Sequence, residues 1–155
     1  MSGRPGRVTA RVYPTPILIG TPSRELGGPR AAGNFVWAEL WTDDLDAAAD
    51  FYAAVLGFAR RSVDRPGGSY TVFSAGDAPQ AGLVETQEAE VEPTWAAYIA
   101  VSDLAATVNR VDALGGRVLI EPAEDFTGGR VSLIADPTGA ALFIAQLPDH
   151  EEAPK

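Results

Sequence analysis

The sequence predicts an α+β fold built from two consecutive βαβββ modules, and two observations support this prediction. One strand-like stretch, one helix-like stretch and three further strand-like stretches follow each other, and the whole order occurs twice. Trp37 and Gly57 are 20 residues apart, and so are Trp95 and Gly115. The modules therefore repeat at an offset of 58 residues, which indicates one structural unit used twice.

The first module begins with NFVWAELWT, whose alternating side chains predict a strand. Asp43 or Asp44 can cap a helix over residues 45–56, and Gly57 suits the left-handed position that ends it. The turn-forming segments RPGG and AGDAPQ then separate three short predicted strands, over residues 59–64, 69–74 and 80–86. The apolar face of the helix is predicted to consist of Ala47, Ala48, Phe51, Tyr52 and Val55.

The second module follows the acidic connector ETQEAEVEP and repeats the same order. TWAAYIAV predicts a strand, and SDLAATVNRVDALGG predicts a helix that ends at Gly115 and Gly116. The segment DPTG joins the last two strands of the module. The three predicted strands cover residues 117–122, 131–136 and 140–146.

The two ends of the chain differ from the modules in composition. Residues 1–33 contain five Pro and six Gly and lack strand or helix periodicity, which is typical of a flexible arm. They carry five Arg and one Glu, whereas residues 34–155 carry 20 acidic and seven basic residues. We therefore predict an arm (1–33), one domain with modules at about 34–90 and 91–147, and an acidic tail (148–155).

Composition also excludes several kinds of site. The chain has no Cys, so disulfides, thiolate nucleophiles and zinc–thiolate sites cannot form. Its only His is His150, and one His cannot make a multi-His metal site. The apolar runs are too short for a membrane span or a secretory signal, which predicts a cytoplasmic protein without membrane contact. The net charge of -9 argues against nucleic acid as a partner.

Several motifs resemble the vicinal oxygen chelate superfamily, which includes glyoxalase I, bleomycin-resistance proteins and extradiol dioxygenases. The resemblance is carried by DDLDAAADFYAAVLGF in the first module and by SDLAATVNRVDALGG and GGRVSLIADPTGA in the second. WAELWTDDLDAAADFY, YTVF and DPTGAALFIAQ most resemble its actinobacterial-type glyoxalase-like "hydroxylase" branch. The resemblance implies an eight-stranded, U-shaped open barrel with its helices outside, a ligand in the concave lumen, and a homodimer.

The metal enzymes of this superfamily bind a divalent cation through inward-facing His or Glu on the first and last strands of each module. The matching positions here are Trp37, Ala96 (within one residue), Phe143, and either Gly82 or Val84. None of these side chains is a metal ligand, and a single nearby carboxylate cannot hold a catalytic metal alone. We therefore expect neither a metal nor another cofactor.

The resemblance also implies which side chains line the lumen. Trp37, Glu39 and Trp41 would point inward, with Ala38 and Leu40 against the helix. The repeat offset adds Trp95, Ala97 and Ile99 from the matching strand. Such an aromatic box with one acid suits a flat or partly apolar ligand, although strand tryptophans are also common in ordinary cores. The predicted ligand-binding residues are Trp37, Glu39, Trp41, Tyr70, Trp95, Ala97, Arg130 and Phe143.

Glu39 is the one candidate catalytic residue, and its role has three interpretations. An unpaired carboxylate among indoles is costly as an anion, so either its pKa is raised and it stays neutral, or an arginine neutralises it. Arg130 is our choice, and Arg60 and Arg117 are the rivals. The acid can then be a structural ion-pair member, an anchor for a donor or cationic ligand group, or a metal-free general base.

These features support three hypotheses about function. The leading one is a metal-free protein that binds a small aromatic or amphipathic molecule, for example to sequester a drug or metabolite. The second is a metal-independent glyoxalase-like lyase or isomerase that uses Glu39 as its acid/base. The third is a scaffold whose N-terminal arm binds a partner. Function has to be decided by the geometry of the site, because one fold hosts many activities.

Overall fold

The computed structural model describes residues 31–65, 68–86, 92–124 and 127–147. Most of the predicted arm, the middle of the acidic connector and the acidic tail lie outside these residues. No helix in the described ranges is long and apolar enough to span a lipid bilayer.

Two βαβββ modules follow each other along the chain, as predicted. The first consists of strand β1 (Phe35–Thr42), helix α1 (Leu45–Leu56) and strands β2 (Ala59–Arg65), β3 (Gly68–Ala75) and β4 (Ala78–Glu85). The second consists of strand β5 (Thr94–Val101), helix α2 (Leu104–Val111) and strands β6 (Arg117–Ile120), β7 (Val131–Ala135) and β8 (Ala141–Gln146). A short 3-10 turn, Asp112–Leu114, extends α2.

The eight strands form one mixed sheet in the order β2-β3-β4-β1-β5-β8-β7-β6. β1 and β5 pair antiparallel at its centre, and each runs parallel to the last strand of its own module. The two modules are thereby related by an approximate two-fold axis between β1 and β5. The sheet stays open between β2 and β6 and forms the predicted U-shaped open barrel with the helices outside.

Both helices begin in the same way and end differently. The side chains of Asp44 and Asp103 accept hydrogen bonds from the third helical N–H groups, at 2.9 Å and 2.8 Å. These caps are 59 residues apart, whereas Gly57 and Gly115, which end the helical segments in left-handed conformation, are 58 apart. The second module reaches its glycine one residue sooner because a 3-10 turn has 3.0 residues per turn instead of 3.6.

The convex face of the sheet packs against α1 through a core of apolar side chains. Phe73 is fully buried there, in ring contact with Tyr52 and Phe58. The helix contributes residues spaced three and four apart, which lie on one side of a helix. The members of this core are Leu40, Ala49, Phe73, Ala81 and Leu83, flanked by Ala38, Leu45, Ala48, Tyr52 and Phe58.

The predicted apolar face of α1 is partly wrong. Ala48 and Tyr52 pack on the sheet as predicted, but Ala47, Phe51 and Val55 are exposed. The helix is apolar on more than one side, so the sequence pattern did not indicate which stripe meets the sheet. The packed stripe begins at Leu45 and continues at three- and four-residue spacing.

Candidate ligand-binding site

The concave face of β1 carries an acid between two tryptophans. Trp37 and Trp41 pack with the inner apolar clusters, while Leu40 belongs to the convex core on the opposite side. Successive strand residues point to opposite faces, so Glu39 shares the inner face with the two indoles. The predicted inward orientation of these three side chains is confirmed, and their contact with a ligand stays a prediction.

Glu39 is 2% exposed, and side chains from three strands hold it. The hydroxyl of Tyr70, on β3, donates to Oε1 at 2.5 Å, and the hydroxyl of Tyr98, on β5, donates to Oε2 at 2.5 Å. The indole N–H of Trp41 donates to Oε2 at 3.2 Å. Hydrogen bonds to a carboxylate are stronger than neutral ones, so these donors offset the cost of burying the acid.

Both indoles near this carboxylate are oriented by hydrogen bonds. The N–H of Trp37 donates to the hydroxyl oxygen of Tyr70 at 3.4 Å, which complements the bond from Trp41 to Glu39. Both tryptophans are half-buried, whereas Glu39, Tyr70 and Tyr98 are buried. The accessible part of the site is therefore aromatic, and the carboxylate lies beneath it.

A stacked pair of rings supports the second half of the site. Tyr98 and Phe143 lie parallel, with centroids 4.5 Å apart and an interplanar angle of 9°. Phe143 also contacts Trp41, with centroids 5.7 Å apart. Phe143 thus lies in the lumen as predicted and connects β8 to the indole of β1.

Gly82 has no side chain and thereby leaves room for the side chains of Tyr70 and Glu39. It pairs with Glu39 across β1 and β4, and a Cβ there would lie 1.7 Å from the Tyr70 hydroxyl oxygen and 3.0 Å from Cγ of Glu39. No side chain larger than hydrogen fits while Tyr70 reaches Glu39. The sequence indicates only that this position lacks a metal ligand, and its role becomes visible only once β3 is placed.

Burial raises the pKa of the Tyr98 phenol well above its ordinary value, and the negative charge of Glu39 raises it further. Tyr98 therefore keeps its proton throughout the neutral range and acts as a donor. The oxygens of Glu39 in turn accept the hydrogen bonds from Tyr70, Tyr98 and Trp41.

The predicted orientation of β5 is wrong by one residue. Trp95 pairs with Leu40 and Ala97 pairs with Ala38, so both point to the convex side. The indole N–H of Trp95 donates to the Tyr52 hydroxyl at 2.8 Å, on that side of the sheet. Ile99 shares this orientation, because it is two residues from Ala97.

The inner face of β5 instead carries Ala96 and Tyr98. The prediction matched residues of the two modules at an offset of 58 residues, which is the distance between the glycines that end the two helical segments. The cap-to-cap offset of 59 residues matches Glu39 with Tyr98, which is absent from the predicted site residues. Counting from the capping aspartates would have found it, since the shortened turn lies after the helix start.

The three arginines predicted to partner Glu39 all lie at exposed positions. Arg130 is exposed immediately before β7, and Arg117 is exposed at the start of β6. Arg60 forms an ion pair with Asp46 on the helix side. The donors observed at the Glu39 oxygens are two phenols and an indole, so neutral donors fulfil the role predicted for a guanidinium.

The residues of the lumen do not fit a divalent metal centre. The central strands place Glu39 opposite Gly82 and Tyr98 opposite Phe143, which provides one carboxylate among groups that are poor ligands. Its oxygens already accept three hydrogen bonds. Within the described ranges, no three His, Cys, Asp or Glu residues come together as a metal site.

Comparison with protein families identifies one match across the modules. Residues 34–144 match the sequence model of the glyoxalase/bleomycin resistance protein/dioxygenase superfamily. The chain is also similar to solved structures, one of which is methylmalonyl-CoA epimerase from Streptomyces coelicolor. That likeness has a TM-score of 0.54 at 19% identity and covers 79% of this chain and 100% of the epimerase, so it concerns the fold alone.

Two curated relatives have higher identity. The putative glyoxylase CFP32 of Mycobacterium tuberculosis is 36% identical over 147 residues, which cover 92% of this chain and 56% of the relative. The anthracycline biosynthesis protein DnrV of Streptomyces peucetius is 43% identical over 116 residues, which cover 74% of this chain and 42% of the relative. The chain thus spans about half the length of the curated relatives it matches.

Replacing Gly82 by Ala should displace the Tyr70 hydroxyl and destabilise the fold. We expect a loss of about 3 kcal/mol, because overpacking adds to the loss of a hydrogen bond to a carboxylate. Urea unfolding measures it. In a Tyr70→Ala background, the same Gly82→Ala change should cost less than about 1 kcal/mol. Equal costs in the two backgrounds would mean that Gly82 does not serve Tyr70.

The raised pKa of Tyr98 predicts a loss of stability in alkaline solution. Its contribution is fully present below the unfolded pKa of 10.0 and is lost as the pH rises towards the higher folded pKa. Above about pH 10, Tyr98→Phe should make the decline of the unfolding free energy shallower by up to ~1.4 kcal/mol per pH unit. Phe143→Leu, which removes no titrating group, should lower the curve and keep its slope.

Proposed function

The chain belongs to the glyoxalase/bleomycin resistance protein/dioxygenase superfamily, and on that premise we propose that it binds a flat aromatic molecule against Trp37 and Trp41. The observation that carries this proposal is the pair of half-buried indoles whose N–H groups are both tied to the Glu39–Tyr70 network. Rings held in this way lose little further freedom when a ligand stacks on them, which favours binding.

Charge supports a ligand that is cationic as well as flat. Glu39 lies directly beneath the indoles, and residues 34–155 carry a net charge of -13, from 20 acidic and seven basic residues. A relative with 43% identity is named an anthracycline biosynthesis protein, and anthracyclines are polycyclic aromatic compounds. We therefore choose an anthracycline with a basic amino sugar as the first probe.

Acid/base catalysis without a metal is the second candidate, and the hydrogen bond between Tyr70 and Glu39 favours it. The Tyr70 hydroxyl donates to Oε1 of Glu39 and also accepts a bond from Trp37, so a proton donor and an acceptor are paired beneath the indoles. In this mechanism Tyr70 would exchange a proton with the substrate, and Glu39 would accept the proton that the Tyr70 hydroxyl donates. A relative named a putative glyoxylase is consistent with such chemistry.

Binding can be tested by calorimetric titration of the full chain with the anthracycline probe. We expect Trp41→Leu to weaken binding about tenfold, because losing one aromatic contact costs roughly 0.5–1.5 kcal/mol. The matched control is Trp95→Leu on the convex face, which should leave the Kd unchanged. Equal effects of the two substitutions would contradict the lumen as the site. Glu39→Gln should alter the affinity of a binding protein but abolish the turnover of an enzyme.

The proposal includes a metal-free homodimer that works in the cytoplasm. The lumen donors described above, and a sequence with no Cys and one His, support the absence of a metal. Native mass spectrometry after incubation with nickel, manganese, iron(II) or zinc should give the mass of a dimer without bound ion. A stoichiometric metal that Glu39→Gln removes would refute this part and favour metal-dependent glyoxalase or dioxygenase chemistry.

A further inference from the structure

The outer surface of α1 is apolar and exposed. Phe51, Val55 and Leu56 are 57%, 60% and 55% exposed. Tyr52 joins them to Trp95, because its ring contacts Phe51 and Trp95 at centroid distances of 5.1 Å and 5.3 Å. Trp95 is itself 41% exposed. We call these five residues the α1 patch. A contiguous exposed apolar patch of this kind marks an interaction site.

The module fold by itself does not require this patch. At the cap-to-cap offset of 59 residues, Phe51 corresponds to Arg110 of α2. Arg110 and its neighbour Asn109 are exposed and polar, whereas Leu114, which corresponds to Val55, is 67% exposed. The second module therefore has one exposed apolar side chain here, and the exposed aromatic surface is specific to α1.

Charge restricts what can cover the patch. Asp43, Asp44, Asp46 and Asp50 lie on α1 or just before it; Asp46 is paired with Arg60 of β2, and no basic residue lies in the helix itself. A second copy of the acidic domain would bring like charges together at this surface. Residues 1–30 have the opposite character, with five Arg and one Glu.

The arm also contains a segment suited to an aromatic surface. Residues 12–19, VYPTPILI, place two prolines among a Tyr and four aliphatic side chains. Proline restricts the chain to extended conformations, which lowers the entropy lost on docking, and such segments bind aromatic-lined surfaces.

The start of the described chain lies within reach of the patch. The N–H of Gly33 donates to the carbonyl of Ala100 at 2.8 Å, so the arm leaves the domain beside the end of β5. Trp95 is five residues back along that strand, about 17 Å away. The 12 residues from Ile19 to Ala31 can span about 40 Å when extended, which is more than sufficient.

We propose that residues 12–19 of the arm cover the α1 patch of the same chain, with the arm arginines facing the acids around α1. This contact lies on the face of the sheet opposite Glu39, so it is independent of the proposed ligand site. The arm would thereby shield an aromatic surface that the domain leaves open to water.

The absence of cysteine makes a pair-labelling experiment direct. Thr21→Cys combined with Ala47→Cys places spin labels beside the arm segment and the patch in the full chain. The control pair is Thr21→Cys with Ala106→Cys. Ala47 and Ala106 are matched, since both are exposed and donate an N–H to the capping aspartate. Pulsed dipolar spectroscopy should give a short, narrow distance for the first pair and a longer, broader one for the control.

Substitutions inside and outside the α1 patch provide a second test. Phe51→Glu should abolish the short distance, whereas Arg110→Glu should retain it; both positions are exposed, so circular dichroism should show both variants folded. Equal, broad distributions for the two labelled pairs would overturn the proposal. A short distance that appears only after mixing singly labelled chains would also overturn it, because the contact would then join two copies.

Discussion

A carboxylate buried between aromatic rings has to be matched by hydrogen-bond donors, and this requirement organises the concave side of the molecule. Glu39 is met by Tyr70 and Tyr98 from two other strands and by Trp41 from its own. Each donor has to arrive in register, so the pairing of β1 with β4 and β5 and the position of β3 are coupled through one side chain. A register error of one residue would turn the donors to the other face and leave the acid without them.

The two faces of the sheet are held together by different interactions. On the convex face, Phe73 and Leu40 pack against α1 and contribute to stability by burial alone. On the concave face, aromatic side chains also orient one another through hydrogen bonds and stacking. Such a polar network is rigid when every member is satisfied. The lumen therefore presents indoles in defined orientations, which a purely apolar core would not impose.

Much of the fold, and half of the site, could be predicted from the sequence. Local signals were sufficient for the two modules and for the inner face of β1, which were predicted correctly. These signals are the capping aspartates, the glycines after the helices and the alternation along the strands. The face of β5 was wrong because a 3-10 turn shortened the second helix segment by one residue. The donors to Glu39 were missed because Tyr70 and Tyr98 are 31 and 59 residues away, beyond any local pattern. The need for a glycine at position 82 could not be predicted, because it depends on where the Tyr70 side chain lies.

The approximate two-fold axis matches Glu39 with Tyr98, and this pairing bears on how such a site can arise. Two identical copies of the first module, assembled around the same axis, would bring two carboxylates to hydrogen-bonding distance, and one of them would have to take up a proton. Two identical copies of the second module would bring together two phenols without an acid. The observed acceptor and donor need halves that have diverged from each other. Joining the two modules in one chain allows the matched positions to carry different residues, so the hydrogen bond from Tyr98 to Glu39 depends on two halves that are not identical.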